Sequence, residues 1–338
     1  MKTSRRRHAR TAYALLELVI TIGVLLVIAA ILAVAADGTR RRGRLAGSIE
    51  NLRQYATAYH AYKHDSMDRI ATFSWRAGVN YGFGGIAAND QQAAANQAVD
   101  IIRRLGNRPE LGTINSWIPH LLYNHLVLAD YMGDELPMKW AVSPGDLPRL
   151  AWQRDPRRFT ELSVNSRPAS PGSGSAAARW PYSSSYEIPP AFFTPDQAEG
   201  AVQTVTQANT HNTYFVPGNA PFGRRTMSEI AYPSQKAMTY EGVQRFFGPR
   251  QAFFAYEEAR IPVLMADGSA GIRTTDFCNR GFQPNTPSSQ SPTSFSYQPD
   301  LGFEPATLSG QASDVVFGHM RWTRRGLLGR DFGGPQVP

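Results

Sequence analysis

Hydrophobic and polar residues follow three different rhythms along this chain. Between Tyr13 and Ala36 nearly every position is apolar, Glu17 is the one charged residue, and Leu18–Ala36 carries no charge at all. A helix over Tyr13–Ala36 is roughly 36 Å long, enough to cross the hydrocarbon core of a bilayer. A secretory signal peptide has a shorter apolar stretch, about 7–15 residues, ahead of a small-residue cleavage site. The longer run predicts a retained span. The rhythm then narrows to a stripe: Leu45, Ile49, Leu52, Ala56 and Tyr59 recur at steps of three and four, the helical period. One helix from about Tyr13 to Lys63, roughly 75 Å long, covers both patterns. Gly38, Gly43 and Gly47 should soften its middle, and its second half should pack on a globular head.

Within the head the pattern moves from helical to strand-like. Asn89–Leu105 reads as a helix, Ala-rich and then carrying Val99, Ile101, Ile102 and Leu105. Ser116 is a candidate cap for a third helix over Trp117–Tyr131. Leu136–Leu162 is irregular, and the Pro/Gly/Ser-rich stretch SRPASPGSGSAAARWPYSSSY reads as a loop. Short runs rich in β-branched and aromatic residues follow at Tyr186–Phe193, Tyr214–Val216, Lys236–Glu241 and Ile261–Ala266. Pro262–Thr275 has the form of a hairpin, with Asp267-Gly268 predicting a tight type I′ turn. Arg280–Asp300 is Pro/Ser/Gln-rich and reads as an extended surface excursion. Helices before strands predict an α+β head with an antiparallel sheet.

Charge changes the picture through its placement. The 338 residues carry a formal charge of +8, which suggests an acidic polymer as partner. Nine basic and two acidic residues fall within positions 1–44, so the rest of the chain is almost neutral. A broadly basic nucleic-acid-binding body is disfavoured, and no nucleic-acid partner is expected. Basic residues flank the apolar run on both sides, five before it and four at Arg40–Arg44, a small bias toward a cytoplasmic N-terminus. The single cysteine, Cys278, excludes an intramolecular disulfide framework and any multi-cysteine zinc site.

Ala12-Tyr13-Ala14-Leu15-Leu16-Glu17-Leu18 resembles the class III signal of type IV pilin-like and pseudopilin-like proteins. In that family a short basic leader is removed just ahead of an aromatic residue, and an acid lies five residues into the mature chain. The resemblance implies cleavage after Ala12 by a prepilin peptidase, a methylated Tyr13 as the new terminus, and Glu17 as the acid that pairs with a neighbouring subunit's terminus. Ala12, Tyr13 and Ala14 depart from the commoner Gly, Phe and Thr. VLMADGSAGI, with Asp267 and Gly268 at its turn, is similar to the C-terminal ADGS strand-turn-strand of the large planctomycete-type pilin-like family. Many members have a His ten residues before that Asp; here the position is Glu257.

The expected organisation is a leader over 1–12, a transmembrane helix over 13–36, its amphipathic continuation over 37–64, and an extracytoplasmic α+β head over 65–338. The expected function is structural: a single-pass inner-membrane subunit, N-terminus cytoplasmic, forming a minor component of a type IV pilus or type II secretion-like assembly. Its partners would be the peptidase, other pilin-like subunits and membrane lipid. Two other readings stand beside it, an unprocessed envelope protein whose head binds glycan or another surface partner, and an anchored enzyme. An intramembrane acid such as Glu17 is costly unless paired, which suits the subunit reading; the other reading of Glu17 is an anchor residue that lies near the cytoplasmic interface and snorkels there.

Signals for other chemistry are weak. His60 and His64 have zinc-compatible spacing but lack the Glu of an HExxH helix. His120 and His125 lie five apart and read as structural. Glu257, Glu258 and Asp267 lack the spacing of a calcium loop. Gly82, Gly84 and Gly85 do not form a phosphate-binding order, and Gly172–Ala176 is no nucleophile elbow. No catalytic residue, metal or cofactor is expected.

Overall fold

The computed structural model describes residues 4–133, 135–158, 172–300 and 302–337. The chain divides between Ala46 and Gly47 into two units. The first is helical throughout its described length, and helix α1 (Ser4–Asp65) continues into the second. Gly38 and Gly43 do not interrupt α1. A Cβ at either would meet open space, whereas one at Gly47 would stand 3.1 Å from Pro144. The glycine that matters is thus the one where α1 passes close to the Pro144 ring, and its service is room rather than flexibility.

The last turns of α1 belong to the core of the second unit. Leu52, Tyr55, Ala56, Ala58 and Tyr59 are buried, while Leu45 and Ile49 are only half-buried. The buried face is therefore centred beside the expected stripe, and it includes a polar residue, Ser48. Helix α2 (Asp90–Leu105) matches its expected bounds. The Asn89 side chain accepts a hydrogen bond from the Gln92 N–H at 2.8 Å, and Ala94, Ala95, Ala98, Val99 and Ile102 fill the inner face.

The expected third helix does not form as one piece. Ser116 has φ +53° and caps nothing; α3 (His120–Tyr123) starts after Pro119. A 3-10 turn over Asn124–Leu128 separates α3 from α4 (Ala129–Met132). Asn124 donates to the Ala71 carbonyl at 2.6 Å and to the Tyr59 hydroxyl at 3.1 Å, ties that hold this break against the neighbouring chain. Two short helices follow, α5 (Leu147–Gln153) and α6 (Gly174–Ala178). The first part of the Pro/Gly/Ser-rich loop lies outside the described residues.

Strand β1 (Tyr186–Glu187) is shorter than expected, because Pro189 and Pro190 cannot continue a ladder and a 3-10 turn takes over. Strands β2 (Thr206–Gln207) and β3 (Tyr214–Phe215) form a small ladder. β4 (Ala237–Glu241) is followed by the pair β5 (Val243–Gln244) and β6 (Ala252–Phe253). β7 (Arg260–Met265) and β8 (Ala270–Thr274) complete an antiparallel sheet of order β1-β4-β7-β8. The Pro/Ser/Gln-rich excursion ends in β9 (Ser294–Tyr297), which pairs with β10 (Asp314–Phe317) and buries Phe295 and Tyr297. Its middle, 286–292, is largely open surface. Mixed helix and antiparallel sheet define an α+β fold.

The hairpin turn differs from the expected type I′. Pairing ends at Leu264 and Ala270; the Gly268 N–H donates to the Met265 carbonyl at 3.0 Å and the Met265 N–H to Ser269 O at 2.8 Å. Of the turn residues only Gly268 has positive φ, +88°. This is a three-residue loop with Ala266 and Asp267 at its centre and Gly268 in the left-handed position. The cause is tertiary. The Ala266 and Asp267 N–H groups donate to the carbonyls of Lys236 and Pro233, at 2.9 and 3.2 Å. The Asp267 carboxylate turns back on Ser269, accepting from its N–H at 2.9 Å and its hydroxyl at 2.7 Å.

Candidate functional site

The sequence-derived site residues fall in different places. Ala12 and Tyr13 lie in the backbone of α1, and their side chains are outside the described residues. Glu17 is exposed, and the Thr21 hydroxyl donates to its backbone carbonyl at 2.7 Å. Beyond it Leu18, Val19, Ile20, Ile22, Val24, Leu25, Leu26, Val27, Ile28 and Ile31 are all exposed large apolar side chains. Successive residues of an α-helix point about 100° apart, so this run leaves apolar surface on every side. Among the described residues no helix is long and apolar enough to cross a membrane. The side chains described here without interruption run from Glu17 to Ile31, and the expected span over 13–36 lies partly outside them.

Asp267 and Gly268 occupy a turn that meets the last part of α1. A Cβ on Gly268 would stand 3.0 Å from the His60 ring, so the turn needs glycine for its backbone and for this contact. Glu257, where the related pattern has His, forms an exposed ion pair with Arg280 at 2.8 Å. His64 pairs with Asp65 instead of joining His60. Among the described residues no group of three or more His, Cys, Asp or Glu is placed to hold a metal ion.

His120 and His125 are core residues. The His120 ring stacks on Phe193 with centroids 4.4 Å apart and meets Phe73 and Phe222 edge-on. Burial pushes both imidazoles down from their ordinary value to about 3, so both are neutral at physiological pH. Cys278 is also buried, and that burial pushes its thiol up, away from the reactive thiolate form.

The densest charge chemistry was not visible in the sequence. Asp146 caps α5, accepting from the Arg149 N–H at 3.2 Å, and its carboxylate also binds the guanidiniums of Arg149 at 2.8 Å and Arg245 at 2.7 Å. Burial alone would raise this carboxyl, but Arg245 and Arg149 hold it at about 2. Arg245 also binds Glu241 at 2.8 Å, and Glu241 accepts from the Ser48 hydroxyl at 2.8 Å. Burial raises the Glu241 carboxyl, with Arg245 opposing. The chain of contacts thus ties the first head-packed turn of α1 to β4 and α5. Farther along, Arg321 binds Glu187 at 2.6 Å, and His211 binds Glu304 at 3.0 Å.

These ion pairs border a cleft of about 540 Å3. Arg149, Arg179, Arg245, Arg321, Glu187 and Glu304 line it, together with Trp117, Trp180, Tyr214 and Phe303. Asp146 alone had a readable local signature, an acid just ahead of Leu147-Pro148 in a helix start. The others come from segments far apart in the chain, and no spacing rule joins them.

Comparison with protein-family models, curated proteins and solved structures finds no match to this chain.

Proposed function

We propose that this chain is a structural pilin-like or pseudopilin-like subunit. A prepilin peptidase removes the leader after Ala12, and Tyr13 becomes the methylated terminus. The helix holds the subunit in the inner membrane, with the head on the extracytoplasmic side, until assembly moves it into a filament core. The subunit serves as a minor component of a type IV pilus or type II secretion-like assembly.

One observation carries this reading: the run Leu18–Ile31 exposes large apolar side chains on all sides of a helix, with Leu18 at 58%, Leu25 at 59% and Leu26 at 66% exposure. A helix apolar all round needs lipid or other helices about it. Lipid covers it before assembly and neighbouring subunits afterwards. Glu17 stands at the start of this run, where a neighbour's free amino terminus neutralises it and fixes the axial register.

Replacing Glu17 by Val tests the assignment in cells that express the assembly machinery. Membrane extraction of Glu17→Val should match wild type, while its share of the sheared filament fraction falls sharply. Wild-type incorporation would remove Glu17 from the assembly role.

A further inference from the structure

We propose that the cleft in the head binds a short neutral oligosaccharide, a di- or trisaccharide segment of a polymer without charged groups. This inference does not rest on the subunit reading, since the cleft belongs wholly to the second unit.

Size comes first. About 540 Å3 lies well inside the ~300–1,000 Å3 typical of small-molecule sites. Charge then narrows the ligand. Three of the four arginines of the wall are paired with carboxylates: Arg149 and Arg245 share Asp146, Arg245 also holds Glu241, and Arg321 holds Glu187, while Arg179 donates to the Ala176 carbonyl and lies against aromatic rings. Glu304 is held by His211, and Asp300 adds another acid to the lining. An anionic ligand would meet Glu187, Asp300 and Glu304, and a cationic one would meet the guanidiniums. An acyl chain would strip water from both signs of charge without replacing its hydrogen bonds.

A hydroxyl group donates and accepts at once, so it suits a wall that carries both guanidinium and carboxylate groups. The arginines are fixed in plane by aromatic rings. The Arg179 guanidinium lies 5.0 Å from the Trp117 ring and 5.2 Å from Trp180, and that of Arg149 lies 5.6 Å from Phe303. Preset donors on stiff, flat supports suit a rigid sugar ring, whose C–H faces pack on flat surfaces while its hydroxyls point outward at the edges. A peptide is recognised mainly through its main chain, by a strand edge or a row of backbone groups. The polar groups identified in this wall are side chains.

The test is calorimetric titration of the full chain in a detergent without a sugar head group. The probes are maltotriose, cellotriose and xylotriose, with trigalacturonate as the acidic control and an extended hexapeptide as the peptide control. At least one neutral trisaccharide should bind saturably, about tenfold or more tighter than trigalacturonate and the peptide. Phe303→Ala should weaken that binding about tenfold, Phe303→Tyr should largely restore it, and Arg179→Gln should weaken it with an unchanged thermal midpoint. The proposal is overturned if no neutral trisaccharide binds, if the acidic sugar or the peptide binds more tightly, or if binding ignores both Phe303→Ala and Arg179→Gln.

Discussion

Leu25 and Leu52 lie on the same helix and have the same side chain, yet Leu25 is 59% exposed and Leu52 is 0% exposed. The contrast extends to their regions. Around Leu25 exposed apolar residues face outward on every side of the helix. Around Leu52 the helix is amphipathic, and Tyr55 meets Trp140 and Tyr186 edge-on, with centroids 4.5 and 5.6 Å apart. The lesson is that apolar content alone does not make a core. A one-sided stripe finds its partner within the chain, whereas a helix apolar all round must find it elsewhere.

The same truncation in the two regions is the strongest way to break this comparison. Leu52→Ala should destabilise the head by about 2–5 kcal/mol, from lost burial and the cavity left behind. Its counterpart Leu25→Ala should leave the denaturation midpoint of the head within about 0.5 kcal/mol. Urea unfolding of both variants, followed by aromatic fluorescence, checks the pair. Equal losses would mean that Leu25 is part of the folded core.

Acid sharpens the comparison with a smaller, graded effect, because the buried histidines among the described residues belong to the head. His120 and His125 stay neutral in the folded protein down to about pH 3, while in the unfolded chain they protonate near their ordinary value. Between those limits the unfolded state binds more protons. Their stabilising contribution is whole above about pH 6.5 and declines as pH falls, by ~1.4 kcal/mol per pH unit for each histidine. Asp146, held at about 2, acts in a lower window; its contribution is lost only as pH falls from its ordinary value through about 2. Urea unfolding at about pH 7, 5.5 and 4.5 should show the decline, and His120→Phe, set among Phe73, Phe193 and Phe222, should reduce the slope by one proton. An unchanged slope in that variant would contradict the neutral, buried state of His120.

What was legible in the sequence follows the range of the interactions involved. Helix α2 was readable because its cap, Asn89, and its apolar face lie within one short segment. The strands of the ADGS hairpin were readable from a run rich in β-branched residues and the Asp267-Gly268 turn signal. The turn type was missed because Lys236 and Pro233, about thirty residues upstream, take the N–H groups of Ala266 and Asp267. Trp117–Tyr131 has enough leucine for a helix, yet Asn124 is committed to Tyr59 and Ala71. The cleft was invisible for the same reason: Glu187, Arg245 and Arg321 come together only after the sheet has formed. Ala12, Tyr13 and Glu17 were singled out through a resemblance in a short contiguous motif, a kind of signal that needs no folding to be read.

Processing at that motif is the most direct test of the subunit reading. Intact and peptide mass spectrometry of the membrane-extracted protein, from cells with an active prepilin peptidase, should show a chain that begins at a methylated Tyr13. A chain that still begins at Met1 in those cells would contradict it.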